Sequence, residues 1–197
     1  MSVTAPPDPG PVEARRRTGL HPAVIATAVA LPIALLVGVV VASVLAQRTP
    51  ATAPVVLAAA PAPDSANPAC ATLLAALPDP LGGAPRASLA EPAPAGAAAW
   101  RSTEVSGEPI VLRCGVPRPD QFTADANLLG VDGVQFLEIP GAPQGIAATT
   151  YVAVDRAAYI ALTLPDGQGS GAVQELADII SADLPAHDLD PAPLAGS

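Results

Sequence analysis

Lysine is absent from this 197-residue chain, and only two histidines, two cysteines and 3% aromatic residues are present. Each shortage excludes something. His21 and His187 leave a histidine-based triad, a zinc site or a general-base histidine without support. Ser102, Ser106 and Ser170 have no evident base partner. No catalytic or cofactor motif stands out, so no cofactor and no metal is expected. With so few aromatics, and alanine dominating the apolar half, the core must rest on a few Leu, Ile and Val clusters.

Proline is abundant, at 25 residues, and points to long irregular connections. The basic residues are all arginine, and charge is unevenly spread. Residues 1–48 carry four Arg against Asp8 and Glu13, whereas residues 49–197 carry five Arg against sixteen acids, a net of −11. An acidic unit repels phosphate backbones, which excludes nucleic acid as an expected partner. The acidity suits solubility, with basic partners or cations as the alternative.

Pro22 to Ala46 is free of charge, long enough to be read as a transmembrane helix. Arg15, Arg16 and Arg17 precede it and only Arg48 follows, so the positive-inside rule puts the N-terminus in the cytoplasm. The expectation is thus a single-pass cell-envelope membrane protein with its C-terminal domain extracytoplasmic. An uncleaved signal anchor is preferred, since signal h-regions run about 7–15 residues. A cleaved signal peptide ending near Val44-Leu45-Ala46 is the competing reading. Ala26, Ala30, Ala34, Gly38 and Ala42 recur at every fourth position, a stripe that permits weak self-association.

The expected organisation is a tail over 1–21, the span over 22–46, a Pro/Ala-rich linker over 47–66, a folded domain over 67–186 and a disordered tail over 187–197. Asn67-Pro68 is a helix start signal, followed by Cys70, Leu73, Leu74 and Leu77 on one face. Residues 78–99, rich in Pro, Gly and Ala, read as a loop. Ile110–Cys114 alternates as a strand, 128–139 reads as a hairpin turned at Asp132-Gly133, and two more strands flank Asp155-Arg156. Val173, Leu176, Ala177, Ile180 and Leu184 mark an amphipathic helix. The predicted fold class is α+β: one transmembrane helix plus a small domain with an N-terminal helix, four or five antiparallel strands and a C-terminal helix.

The two cysteines, Cys70 and Cys114, both fall on inward faces and are expected to form a structural disulfide. No C-x-x-C spacing supports a redox-active pair. Asp120, Asp125, Asp132 and Glu138 surround the hairpin but match no calcium-loop template and read as solvated turns. Arg113, inside a strand, and Arg156, in a tight connection, are the candidate ligand-binding residues, for an anionic small ligand or a cell-wall fragment. A structural ion pair is the preferred reading for both, with ligand binding as the alternative.

Trp100 followed by Pro109-Ile110-Val111-Leu112-Arg113-Cys114-Gly115-Val116-Pro117 resembles the signature of an actinobacterial family of uncharacterised membrane-anchored or secreted envelope proteins, the domain of unknown function 3515 family. Cys70 with its Leu-rich helix, Val131-Asp132-Gly133-Val134-Gln135-Phe136 and Arg156 extend the resemblance over roughly residues 20–185. Phe136 stands where Trp is common in the family, Asp132 where Asn is common, and Glu108 replaces the first Pro of a pair. The resemblance implies membrane location and the cysteine pair, and it implies no activity. Three functions follow as alternatives: a non-catalytic adaptor or binding module with an envelope protein partner, a binder of an anionic ligand through Arg113 and Arg156, and an enzyme whose site no motif reveals.

Overall fold

The alternating runs read from the sequence assemble into one antiparallel sheet in the computed structural model, which describes residues 33, 35–39, 53–101 and 108–193. Two units are distinguished, 1–48 and 49–197, and each is taken separately. In the first, Ile33 and Leu35–Val39 are helical and exposed. The interval from 33 to 39, with its six described helical residues, corresponds to a rise of about 10 Å, against the roughly 30 Å of a hydrocarbon core. Among the described residues no helix is long and apolar enough to cross a membrane. The expected transmembrane helix is corrected on that finding. The signal anchor, the cell-envelope assignment and the single-pass placement with an extracytoplasmic domain are withdrawn with it. The rest of 22–46 lies outside the described residues, as do Ala26, Ala30, Ala34 and Ala42 of the small-residue stripe; at Gly38 an added Cβ would meet nothing within 4 Å.

In the second unit the strand count is also corrected. The sequence predicts four or five strands, and the described residues form seven: β1 (Arg86–Ala87), β2 (Ala97–Arg101), β3 (Pro109–Val116), β4 (Leu128–Val131), β5 (Val134–Pro140), β6 (Ala148–Ala153) and β7 (Tyr159–Pro165). Their order is β1-β2-β3-β7-β6-β5-β4, antiparallel throughout. The extra pair, β1 and β2, comes mainly from the stretch that reads as loop. Ala97–Arg101 has weak strand propensity of its own. It is held instead by a five-residue ladder to β3 and by Trp100, fully buried, whose indole donates to the Pro78 carbonyl at 3.1 Å.

Two helices cover one face of the sheet. Helix α1 (Pro68–Ala76) starts where Asn67 caps it, accepting from the Ala69 N–H at 2.9 Å, and buries Cys70 and Leu73. Helix α2 (Gly171–Asp183) buries Ala172, Val173, Leu176, Ala177 and Ile180. These pack with Trp100, Ile110, Leu112, Phe136, Ile160 and Leu162 in the main core. Cys70 and Cys114 are disulfide-bonded there, 44 positions apart in sequence and both fully buried. The bridge ties α1 to β3.

The opposite face of the sheet carries two coverings. Residues 53–65, within the stretch read as a linker, form a strap on the β1–β3 side. Val55 is buried, pairs in parallel with Leu89 and exchanges bonds with Ser88 and Ala90. Farther along, the Asp64 N–H donates to the Gly115 carbonyl at 3.1 Å. Gly115 has φ +81° and lies so close to the backbone of Asp64 and Ser65 that a Cβ would strike it. That contact supplies a reason for the glycine in the Leu-Arg-Cys-Gly-Val-Pro run. On the β5–β7 side, Phe122 sits in a second cluster with Leu137, Val152 and Val154, edge-on to Tyr159 with ring centroids 6.2 Å apart. The tail read as disordered from 187 is hydrogen-bonded over its described part: the His187 N–H donates to the Asp155 carbonyl, and Ala192 bonds Phe122 and Ala124.

The chain's two tyrosines report on this packing. Burial, then Asp190, pushes the Tyr159 phenol above its usual 10.0, with Arg118 opposing; burial, then Glu138, does the same to Tyr151. A raised pKa means that the fold holds these protons more tightly than the unfolded chain does. The stability this confers is complete below pH 10 and is lost as pH rises through the folded-state values. Phenolate absorbance is expected to develop only above pH 10, with the urea midpoint falling over the same interval. Ionisation at the free-tyrosine value with a flat midpoint would contradict this.

Candidate functional site

Arg156 and Arg113, the two candidate ligand-binding arginines, have different partners. Arg156 follows β6, and its side chain is only 2% exposed. It pairs with Asp155 Oδ2 at 2.9 Å and donates to the carbonyls of Asp155 at 2.9 Å and Gly133 at 3.2 Å. Asp155 Oδ2 also accepts from the Gln135 N–H at 3.0 Å, and its carbonyl holds His187. The pair therefore ties the β4–β5 turn, β5, the β6–β7 connection and the tail together. Asp155 Oδ1 and Arg156 Nε are buried without hydrogen-bond partners, so the hub is incompletely satisfied and costly to disturb.

Arg113 lies on the outer face of β3, half-buried, and donates to the Ala58 carbonyl of the strap at 2.7 Å. Arg101 on β2 does the same for the Ala53 carbonyl at 2.8 Å. The strand arginines thus hold the strap. No partner is common to Arg113 and Arg156, and neither lines the clefts described below.

The other residues singled out in the sequence do not converge. Asp120, Asp125, Asp132 and Glu138 are all exposed, and among the described residues no group of three His, Cys, Asp or Glu side chains could hold a metal ion. Ser170 precedes α2 without making a side-chain cap bond, and His187 is exposed. Ser102, Ser106 and His21 lie outside the described residues.

Among the described residues, nothing covers the outer face of the sheet between the strap and the Phe122 cluster, and a cleft of about 370 Å³ opens there. Its floor is Val111 of β3 and Thr163 of β7, which face each other in register. The Thr163 hydroxyl is already engaged with that of Thr150 at 2.9 Å, so the floor offers mainly methyl groups. Pro109, Pro165 and Ala148 form the walls. Ile146 stands at the mouth, 58% exposed. A tight loop sets it there: Ala142–Gln144 make one 3₁₀ turn, the Ile146 N–H returns to the Gly141 carbonyl, and Gly141 bonds Ala148. A Cβ on Gly141 would lie 2.8 Å from the Ile146 carbonyl, so only glycine permits the turn. One carboxylate, Glu108, lines the rim. Asp166, exposed, follows Pro165 and bonds the Ala147 carbonyl through its backbone N–H at 3.0 Å.

A second groove, of about 540 Å³, runs between the strap and residues 90–95. Its walls are mostly Ala and Pro side chains, with Val56, Leu57 and Ser65, on two irregular segments, and Glu91 is the one charge lining it. The sheet-floored cleft is the better-built site, since regular strands hold side chains more exactingly than loops do. Sequence reasoning missed it. Ile146 carries no signal in isolation, because it becomes a rim residue only through the turn that precedes it and through strands distant in the chain.

A seven-stranded antiparallel sheet with two helices on one face, and a mainly apolar cleft bearing Glu108 on the other, defines the class of protein. The model of the family described as protein of unknown function (DUF3515) matches residues 29–189, and the chain belongs to that family. No curated protein and no solved structure matches it.

Proposed function

We propose that the folded unit is a non-catalytic binding module whose binding surface is the sheet-floored cleft, and that the occupant is an apolar side chain of a protein partner flanked by basic residues. The observation that carries this reading is the cleft itself: Val111, Thr163 and Ile146 offer apolar surface on a rigid floor. Its volume lies in the range of ligand sites. Glu108 at the rim, in a unit of net charge −11, favours a basic neighbour for the buried anchor. Arg113 and Arg156 serve the scaffold in this reading, one holding the strap and the other the β-turn hub.

The test uses the full chain and two short capped peptides, Arg-Phe-Arg and Glu-Phe-Glu. Binding of the basic peptide is expected, weakened at least about tenfold by I146D, since loss of one buried side-chain contact is worth about 1.5–3 kcal/mol. Folding should be unaffected, because Ile146 is exposed. Equal binding of both peptides, or of the basic peptide to wild type and I146D, would sink the proposal.

A further inference from the structure

The sheet has two edges, and the chain treats them differently. At the β1 edge, two residues form the strand, Arg86 engages Asp79 through its N–H, and the parallel Val55–Leu89 bridge lies beside it. At the other edge, β4 reads Leu128-Leu129-Gly130-Val131, with no charge, no proline and no further strand among the described residues. Natural sheets commonly protect such an edge with lysine, proline or a bulge.

Hydrogen bonding shows which groups the edge offers. Gln135 sits opposite Gly130 in the β4–β5 register. The Gln135 N–H goes to Asp155 Oδ2 and its carbonyl accepts from the Val154 N–H, both on the β6 side. Gln135 is therefore at a non-hydrogen-bonded position relative to β4, and the Gly130 N–H and C=O point outward. Leu128, two residues earlier, does the same. Gly130 is exposed and has no side chain to shield these groups, and Leu129 beside it is 43% exposed. Carboxylates bracket the strand: Asp125 three residues before it and Asp132 immediately after it, both exposed. Asp132 holds φ 47° in the two-residue turn that starts β5, so its place at the end of the edge is set by the hairpin itself.

The geometry points to β4 as a strand-addition site for an extended segment of a protein partner, one that carries basic residues on both sides of a short β-branched run. Leu128 and Gly130 supply main-chain hydrogen bonds, Leu129 an apolar contact, and Asp125 and Asp132 the charge selection. The site is separate from the outer-face cleft, so the two readings stand or fall independently. A second copy of this chain fits the edge less well, since each folded unit carries a net charge of −11 and the brackets would meet acid on acid.

Gly130→Pro tests the site directly. It removes the outward N–H and leaves the β4–β5 ladder bonds intact, the position at which an edge strand accepts proline. The probe is a fluorescein-labelled capped peptide, Arg-Thr-Val-Thr-Val-Thr-Arg, titrated by anisotropy against the full chain. Saturable binding is expected, weakened about tenfold or more by G130P and about twofold to fivefold by D132N with loss of part of the salt dependence. Should G130P fail to fold, the same peptide N-methylated at alternate valine and threonine positions replaces it, and weakening about tenfold is again expected. Binding unaffected by G130P and by N-methylation, or no binding at millimolar peptide, would overturn the assignment. So would a wild-type dimer in sedimentation that G130P dissociates, because the edge would then serve a second copy.

Discussion

Replacing Cys70 and Cys114 together by alanine is expected to lower stability by about 4 kcal/mol, the value the chain-entropy model assigns to a closed loop of this length. The bridge spans 44 positions and encloses most of α1 and all of β1 and β2. None of these elements is strong alone. Helix α1 has nine residues, β1 two and β2 five, three of them alanine. Isolated helices of that length are marginal in water. A domain is typically stable by only about 5–15 kcal/mol, so the loss is a large fraction of the whole. The single tryptophan, fully buried in the main core, makes urea unfolding readable by fluorescence. The double variant should unfold at a markedly lower midpoint with an unchanged slope. Reductant should shift wild type to the same midpoint once urea exposes the bridge, since both cysteines are fully buried in the native state. A shift worth less than about 1 kcal/mol would show that the bridge does not organise the β1–β3 side of the sheet.

Arg156→Met is expected to cost about 3–5 kcal/mol, the cost of stranding one partner of a buried ion pair. Methionine retains much of the side-chain volume but leaves the Asp155 carboxylate with the Gln135 N–H as its described donor, and leaves the Gly133 carbonyl without its guanidinium. The pair is almost wholly excluded from water, at 2% and 9% side-chain exposure, so solvent cannot take over. Adding Asp155→Asn should recover a substantial part of the loss, because the uncompensated charge is removed. A double-mutant cycle with D155N, R156M and the combination measures that coupling. Additive losses in the combined variant would mean that the two side chains act independently, against the hub described here.

Much of the sheet was legible because its pattern is local. Ile110, Leu112 and Cys114 alternate, and so do Ile160, Leu162 and Leu164; all six are buried on the helix-covered face. Asp132-Gly133 forms the expected turn with positive φ at both residues. Asn67, Leu73 and Leu77, and the stripe from Val173 to Leu184, occupy the positions their spacing indicates. What failed depends on distant partners. Ala97–Arg101 becomes a strand only because β3 lies beside it, and alanine gives no alternation to read. The Pro/Ala stretch looks like a free spacer by composition, but Arg101 and Arg113 hold its carbonyls. Charge-free length suggested a membrane span over 22–46, whereas the described helical part covers Ile33 and Leu35–Val39.

The cleft was the least legible feature. Its members come from three separate parts of the chain, around 108–111, 146–148 and 163–165, and no one of them carries a pattern. Arg156 is visible in the sequence as an unusual residue, but nothing there marks its immediate neighbour Asp155 as its buried counter-ion. A charged residue in a short connection suggests exposure, whereas Arg156 is enclosed with Asp155 and the Gly133 carbonyl, and the tail bonds the Asp155 carbonyl at His187.

Backbone amide chemical shifts of the full chain, recorded while the Arg-Phe-Arg peptide is titrated in, bear most directly on the binding-module reading. The expected result is a set of saturable shifts centred on Val111, Ile146, Ala148 and Thr163, absent with Glu-Phe-Glu and lost in I146D. Shifts confined to other surfaces, or none at millimolar peptide, would contradict it.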